Sequence, residues 1–149
     1  MMENLTEVAA SFFGSLGFAI LYNTAGRRVF IPAVGGAIFW AVYLAIFHWV
    51  GNEYLGFFVV AVLITVYSEI WARILKTPAS TVLIPTVIPL IPGGALYYAM
   101  DAALHQNVPL FIEKAKLALG LSLALAAGIM AATSLYLPVN RFLHHPRGK

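Results

Sequence analysis

The stretch Ile84-Pro85-Thr86-Val87-Ile88-Pro89-Leu90-Ile91-Pro92-Gly93-Gly94 places three prolines and two glycines inside an apolar run of membrane-spanning length. A helix crosses a bilayer because hydrocarbon offers no partner for a free backbone N–H or C=O. Each interior proline removes one helix hydrogen bond and costs about 3 kcal/mol, so this block cannot continue a regular helix. Non-helical backbone at membrane depth persists only where protein buries it or where it lines a watery cavity. The block therefore reads as part of a pathway.

The rest of the chain supports a membrane setting. Of 149 residues, 61% are hydrophobic and 10% are charged, against about 25% charged in a soluble domain. Mean hydropathy is +0.86. We expect an integral membrane protein with one transmembrane domain over residues 1–149 and no soluble domain. No cysteine is present, which excludes disulfides, thiolate catalysis and cysteine-based metal sites. The net charge of +3 is too small and too scattered for nucleic-acid binding.

Five apolar runs stand out, at about 6–22, 30–50, 54–71, 81–100 and 115–137. Each is close to the ~20 residues that cross ~30 Å of hydrocarbon. The first is short enough for a signal peptide, but Glu3 and Glu7 precede it and Arg27 and Arg28 follow, the reverse of that charge order. It reads as a retained span. Sorting the loops by side puts seven basic residues on one face of the membrane and two on the other. The positive-inside rule then sets the N-terminus outside and the C-terminus in the cytoplasm. The fold class expected is an all-α polytopic bundle of five spans, the fourth one broken.

Helix packing and anchoring have weaker signatures. Gly14, Gly17, Gly35, Gly36, Gly120 and Gly128 suit close backbone approach. Trp40, Trp49, Tyr54, Trp71, Tyr97, Tyr98 and Tyr136 fall mostly near span ends and take interfacial anchoring roles by default.

Within the fourth span, Pro85, Pro89 and Pro92 free the carbonyls of Thr81, Pro85 and Ile88. They also push Ile84, Ile88 and Ile91 towards extended geometry. From Ala95 the pattern turns helical again through Met100. This predicts a half-helix with its N-terminus near mid-membrane, where its free N–H groups and positive dipole end suit a carboxylate. A structurally repaired kink is the plainer alternative.

Span three carries Glu69, read as the only acidic residue well inside an apolar run. Thr65, Glu69 and Arg73 share a helix face at spacings of four. Two readings stay open: a proton or cation relay, or a Glu69–Arg73 ion pair that fixes helix depth. Asn23 ends span one and suits a helix-terminating turn or a donor to substrate. His48 faces the interface, His105 lies in a polar loop with Asp101 nearby, and the pair His144 and His145 makes a poor metal site. No nucleophile–base set, phosphate loop or metal motif is present, so neither an enzyme nor a cofactor is expected.

These residues carry a family likeness. The run Ser68-Glu69-Ile70-Trp71-Ala72-Arg73, then Lys76-Thr77-Pro78, then Ile84-Pro85 and Ile88-Pro89-Leu90-Ile91-Pro92-Gly93-Gly94 through Tyr97, resembles the smaller half of the threonine/serine exporter family. Gly17-Phe18-Ala19-Ile20-Leu21-Tyr22-Asn23, with Gly35, Gly36 and Trp40, is similar to that family's first two spans. The resemblance implies a transporter of two five-span halves, fused or split, that exports threonine and serine or, in some two-subunit members, succinate. By position it implies substrate contacts at Pro89, Pro92, Gly93, Gly94, Tyr97 and Asn23, with coupling or gating at Glu69 and Arg73.

The expected function is thus a subunit of a secondary exporter of small carboxylates in the cell membrane, acting with a larger membrane subunit of the same family. An odd span count allows the partner to lie inverted, and the basic bias opposes an inverted homodimer. The alternatives are a non-transporting structural or regulatory subunit and a small homo-oligomeric channel.

Overall fold

The computed structural model describes the backbone of residues 2–22, 24 and 26–143, and the side chains of those between 4 and 135. Among the described residues six helices follow one another: α1 (Met2–Leu21), α2 (Phe30–Val50), α3 (Glu53–Leu75), α4 (Ser80–Val87), α5 (Gly93–Leu104) and α6 (Val108–Leu143). Short 3-10 turns at Gly26–Val29 and Ile88–Leu90 join α1 to α2 and α4 to α5. Four helices are long and apolar enough to cross a membrane, and five spans result if the bent α4–α5 pair is one. The all-helical architecture expected from the sequence is what the described residues adopt, with four or five candidate spans.

Connections are short because local chemistry ends each helix sharply. Gly51 caps α2 in the left-handed conformation (φ 68°), and its N–H donates to the Phe47 carbonyl. Asn52 then starts α3, its side chain accepting from the Leu55 N–H at 3.1 Å. This satisfies one of the donors that every helix start leaves free. Asn107 does the same for α6, accepting from the Leu110 N–H at 3.3 Å.

Helix α3 is the centre of the bundle: 44% of its span is buried, against 17% for α1. It presents Phe57, Val60, Ala61, Ile64, Thr65, Ser68 and Ala72 as a buried stripe at helical spacing. Tyr43 of α2, Leu121 of α6 and Leu90 of the 3-10 turn close the core around Phe57, Val60 and Ile64. Helix α6 packs on α3 and α5, and α4 packs on α1, α2 and α3.

Small residues set the closest approaches, as they do in membrane bundles where apolar burial gives no net drive. A side chain on Gly35 would meet the Tyr67 ring at 2.9 Å and Thr86 at 3.0 Å. Gly36 lies against Ser15, Gly120 against Tyr54, and Gly128 against the Phe58 carbonyl and Ala61. Gly14 and Gly17 differ from expectation, with open space where a side chain would stand. The inner face of α1 is carried by Ser11, Ser15 and Ala19 instead.

Two boundaries also differ. Glu113, Lys114 and Lys116 lie in the early turns of α6, which begins at Val108 rather than near 115. Long charged side chains are compatible with a helix end because their heads reach the interface while their stems stay on apolar surface. Helix α3 likewise continues past Trp71 to Leu75, carrying Glu69 and Arg73 in its last turns.

Candidate functional site

The fourth span is bent by 50° between Ser80–Leu90 and Gly93–Leu104. The three prolines do unequal work. Pro85 sits inside α4 and is fully buried, so the helix runs through it to Val87. Ile84 and Ile88 accordingly remain helical, contrary to the extended geometry expected for both. Contacts from α1, α2 and α3 hold α4 in shape where the isolated sequence would have broken. The break itself is local to Leu90–Gly93.

There the backbone finds partners within a few residues. Ile91 is extended (φ −65°, ψ 126°), as the residue before a proline prefers. Its N–H donates to the Ile88 carbonyl at 3.1 Å, the carbonyl that Pro92 leaves without its helical donor. Pro92 (φ −74°, ψ 55°) is the centre of an inverse γ-turn, with the Gly93 N–H donating to the Ile91 carbonyl at 2.6 Å. Helix α5 therefore starts at Gly93, two residues before the expected Ala95, and its ladder opens with the Leu96 N–H on the Pro92 carbonyl at 3.1 Å. Gly94 and Ala95 lie in this first turn, where N–H groups have no acceptor within the helix.

The sequence-predicted contacts divide between two sides of the break. Pro92 is buried and Pro89 half-buried, facing the bundle. Gly93 and Gly94 are exposed with nothing near their α-carbons, and Tyr97 is 67% exposed. Helix α5 rests on α6 through Ala99 and Ala102, which turns Tyr97, Tyr98 and Met100 outwards. Asn23 lies outside the described residues, as do His144, His145 and the side chain of Tyr136.

Beside the break is a shallow, largely open cavity of about 280 Å³. Ile88 and Pro89 of the turn, Trp40 of α2, and Glu7, Ala10, Ser11 and Gly14 of α1 line it. The Trp40 indole N–H donates to a Glu7 carboxylate oxygen (Oε2) at 3.2 Å. The Ser11 hydroxyl donates to the Glu7 carbonyl at 2.8 Å. One turn further along α1, Ser15 is fully buried and its hydroxyl has no hydrogen-bond partner among the described residues.

The position of Trp40 corrects one expectation. It stands ten residues from either end of α2, about 15 Å at 1.5 Å per residue, and is a mid-helix residue rather than a helix-end anchor. Glu7, read as an outer flank of span one, is exposed in the second turn of α1 and reaches Trp40 through its side chain. One turn before it, Asn4 and Leu5 lie with His48 and Trp49 at the end of α2. The signal in the sequence for the α1 side of this contact was the spacing of Glu7, Ser11 and Ser15 by four, a polar stripe on one face of α1.

Glu69 is half-buried and Arg73 exposed near the end of α3, and neither lines this cavity. Asp101 is exposed and pairs with His105 one turn on, at 3.4 Å. A second, larger cavity of about 550 Å³ lies between α1 and the His48–Trp49 end of α2, with a mostly apolar lining that includes Asn4 and His48. Among the described residues no cluster of acidic residues and histidines is suited to a metal ion.

A bundle of helices long and apolar enough to cross a membrane, with a further bent and broken pair, defines a multi-pass membrane protein. The model of the family described as Threonine/Serine exporter, ThrE, matches residues 7–135, and the chain belongs to that family. It is a transporter family, so the chain is a component of an exporter and not an enzyme. No curated protein and no solved structure gives a significant match.

Proposed function

We propose that this chain is the smaller of two subunits of a secondary exporter for threonine, serine or a related small carboxylate. The substrate carboxylate docks at the start of α5, against Pro89, Pro92, Gly93, Gly94 and Tyr97, with Asn23 as a further donor. Glu69 and Arg73 couple or gate the transport step. The N-terminus lies outside and the C-terminus in the cytoplasm.

The observation that carries this reading is the exposed first turn of α5. Its N–H groups and the positive end of its dipole favour an anion. Lipid satisfies neither, so backbone of this kind belongs where protein or water covers it. Gly93 and Gly94 have open space above them. Among the described residues no side chain fills that space, which suits a ligand and an inverted partner half closing over it.

The test is efflux of labelled threonine, serine and succinate from vesicles containing this chain, its partner, or both. Efflux of an amino acid that needs both chains supports the proposal. Efflux from this chain alone, without a coupling-ion gradient, favours a homo-oligomeric channel; full efflux from the partner alone leaves this chain a structural subunit. C-terminal reporter fusions should show one orientation, and mixed orientations would remove the case for a distinct inverted partner.

A further inference from the structure

We propose that the end of the bundle carrying Arg27, Arg28 and Lys76 is a docking surface for the phosphate headgroups of anionic lipids. The inference concerns how the chain is held in its membrane and does not rest on what it transports.

Three observations carry it. First, contacts inside the bundle bring these residues to one end. The Tyr67 hydroxyl of α3 donates to the Ile31 carbonyl of α2 at 2.8 Å. Gly35 of α2 lies against both Tyr67 and Thr86 of α4, so the three helices are in register at this level. Arg27 and Arg28 come four and three residues before Ile31, in the 3-10 turn that leads into α2. Arg73 and Lys76 come six and nine residues after Tyr67, where α3 ends. Because α2 and α3 run in opposite directions, both pairs lie beyond the same end.

Second, this end is unbalanced in charge. Arg27, Arg28 and Lys76 are exposed, and none of them forms an ion pair among the described residues. Arg73 adds a fourth positive charge, and Glu69, one turn before it, is the one acidic residue near this end of α3. The opposite end differs: Glu53 opens α3, and Lys114 of α6 is paired with Glu113 at 3.0 Å. The cations beyond Ile31 and Tyr67 thus draw their counter-charge from outside the chain.

Third, the depth is that of a headgroup. Exposed apolar side chains run up to the basic residues, with Leu21 at the end of α1, Phe30 two residues after Arg28, and Ile70 and Ile74 on either side of Arg73. In a membrane bundle such side chains meet acyl chains, and the charges just beyond them meet phosphate. Lys76 adds to this. Its φ of 53° lies in the left-handed region, where a helix ends most easily in glycine. Backbone preference does not call for lysine there, and what the position gains from it is the charge.

The test uses the full chain purified in neutral detergent, with phosphatidylglycerol or phosphatidylcholine added at equal mole fraction. Native mass spectrometry counts the retained lipid, and thermal unfolding reports stabilisation. Phosphatidylglycerol should be retained in preference, and the preference should shrink from low to high salt. Lys76→Gly should fold at wild-type stability or above, yet weaken phosphatidylglycerol retention about fivefold, the effect of one basic residue at a lipid surface. Arg27→Gln combined with Arg28→Gln should weaken it about 25-fold, by two such charges. Phosphatidylcholine retention should stay the same throughout, and Lys116→Gln at the opposite end should change neither lipid. If the arginine variant does not fold, Lys76→Gly decides alone. An unchanged lipid preference in these variants, or an equal loss for both lipids, overturns the assignment. Stabilisation by soluble glycerol phosphate equal to that by phosphatidylglycerol also overturns it, since the site would then serve a free anion. The exporter reading is untouched by any of these results.

Discussion

Gly36 of α2 lies so close to the Ser15 hydroxyl of α1 that one added methyl group would overlap it. The contact places the two helices in register, and Glu7 reaches Trp40 two turns away along the same seam. Gly36→Ala should therefore destabilise the α1–α2 pair by about 1–3 kcal/mol, the usual cost of overpacking. Ser15→Gly in the same chain should recover most of that loss, because it vacates the space that the methyl needs. Thermal unfolding in detergent, followed for both single variants and the double variant, tests this. Additive losses would show that the two residues do not share the contact.

Trp40→Phe keeps a ring in the cavity wall and deletes the N–H that holds the Glu7 carboxylate. The bond is exposed, so its loss should cost no more than about 1 kcal/mol of stability. Thermal unfolding in detergent measures this, and a larger loss would show that the indole N–H does more than meet an exposed carboxylate.

At Gly94 an added Cβ would meet nothing within 4 Å among the described residues. Gly94→Leu should accordingly insert and fold with wild-type stability. Efflux should nevertheless be lost, because the new side chain occupies the space that the proposed site gives to substrate or partner. Comparing size-exclusion profiles with efflux separates the two effects, and normal efflux would count against a ligand or partner above α5.

Gly51 adopts φ 68° at the α2–α3 turn with open space around it. Only backbone strain opposes a side chain there, so Gly51→Ala should cost about 1 kcal/mol. Gly51→Asn should cost less, since asparagine tolerates this conformation. A melting temperature unchanged by alanine would place the turn elsewhere.

Much of this architecture is legible in the sequence because it depends on local rules. Apolar run length gave the spans, and the Pro85–Gly94 block gave the break, within which the helix restarts at Gly93 rather than Ala95. Pro85 shows where such rules end. Its cost is set by what surrounds it, and burial among α1, α2 and α3 keeps α4 helical through a residue that breaks exposed helices. The contact of Glu7 with Trp40 shows a second limit. It joins residues 33 apart in the chain, and hydropathy read one helix at a time does not say which faces of α1 and α2 meet, a choice fixed here by Gly36 against Ser15.

A continuous helix relays displacement from end to end through its hydrogen-bond ladder, and the fourth span has no such ladder across Ile91. Its first half is wedged among three helices, while its second half rides on α6. The two mouths of the bundle are thus mechanically uncoupled along this span. A carrier needs that separation, since one mouth must loosen while the other stays tight.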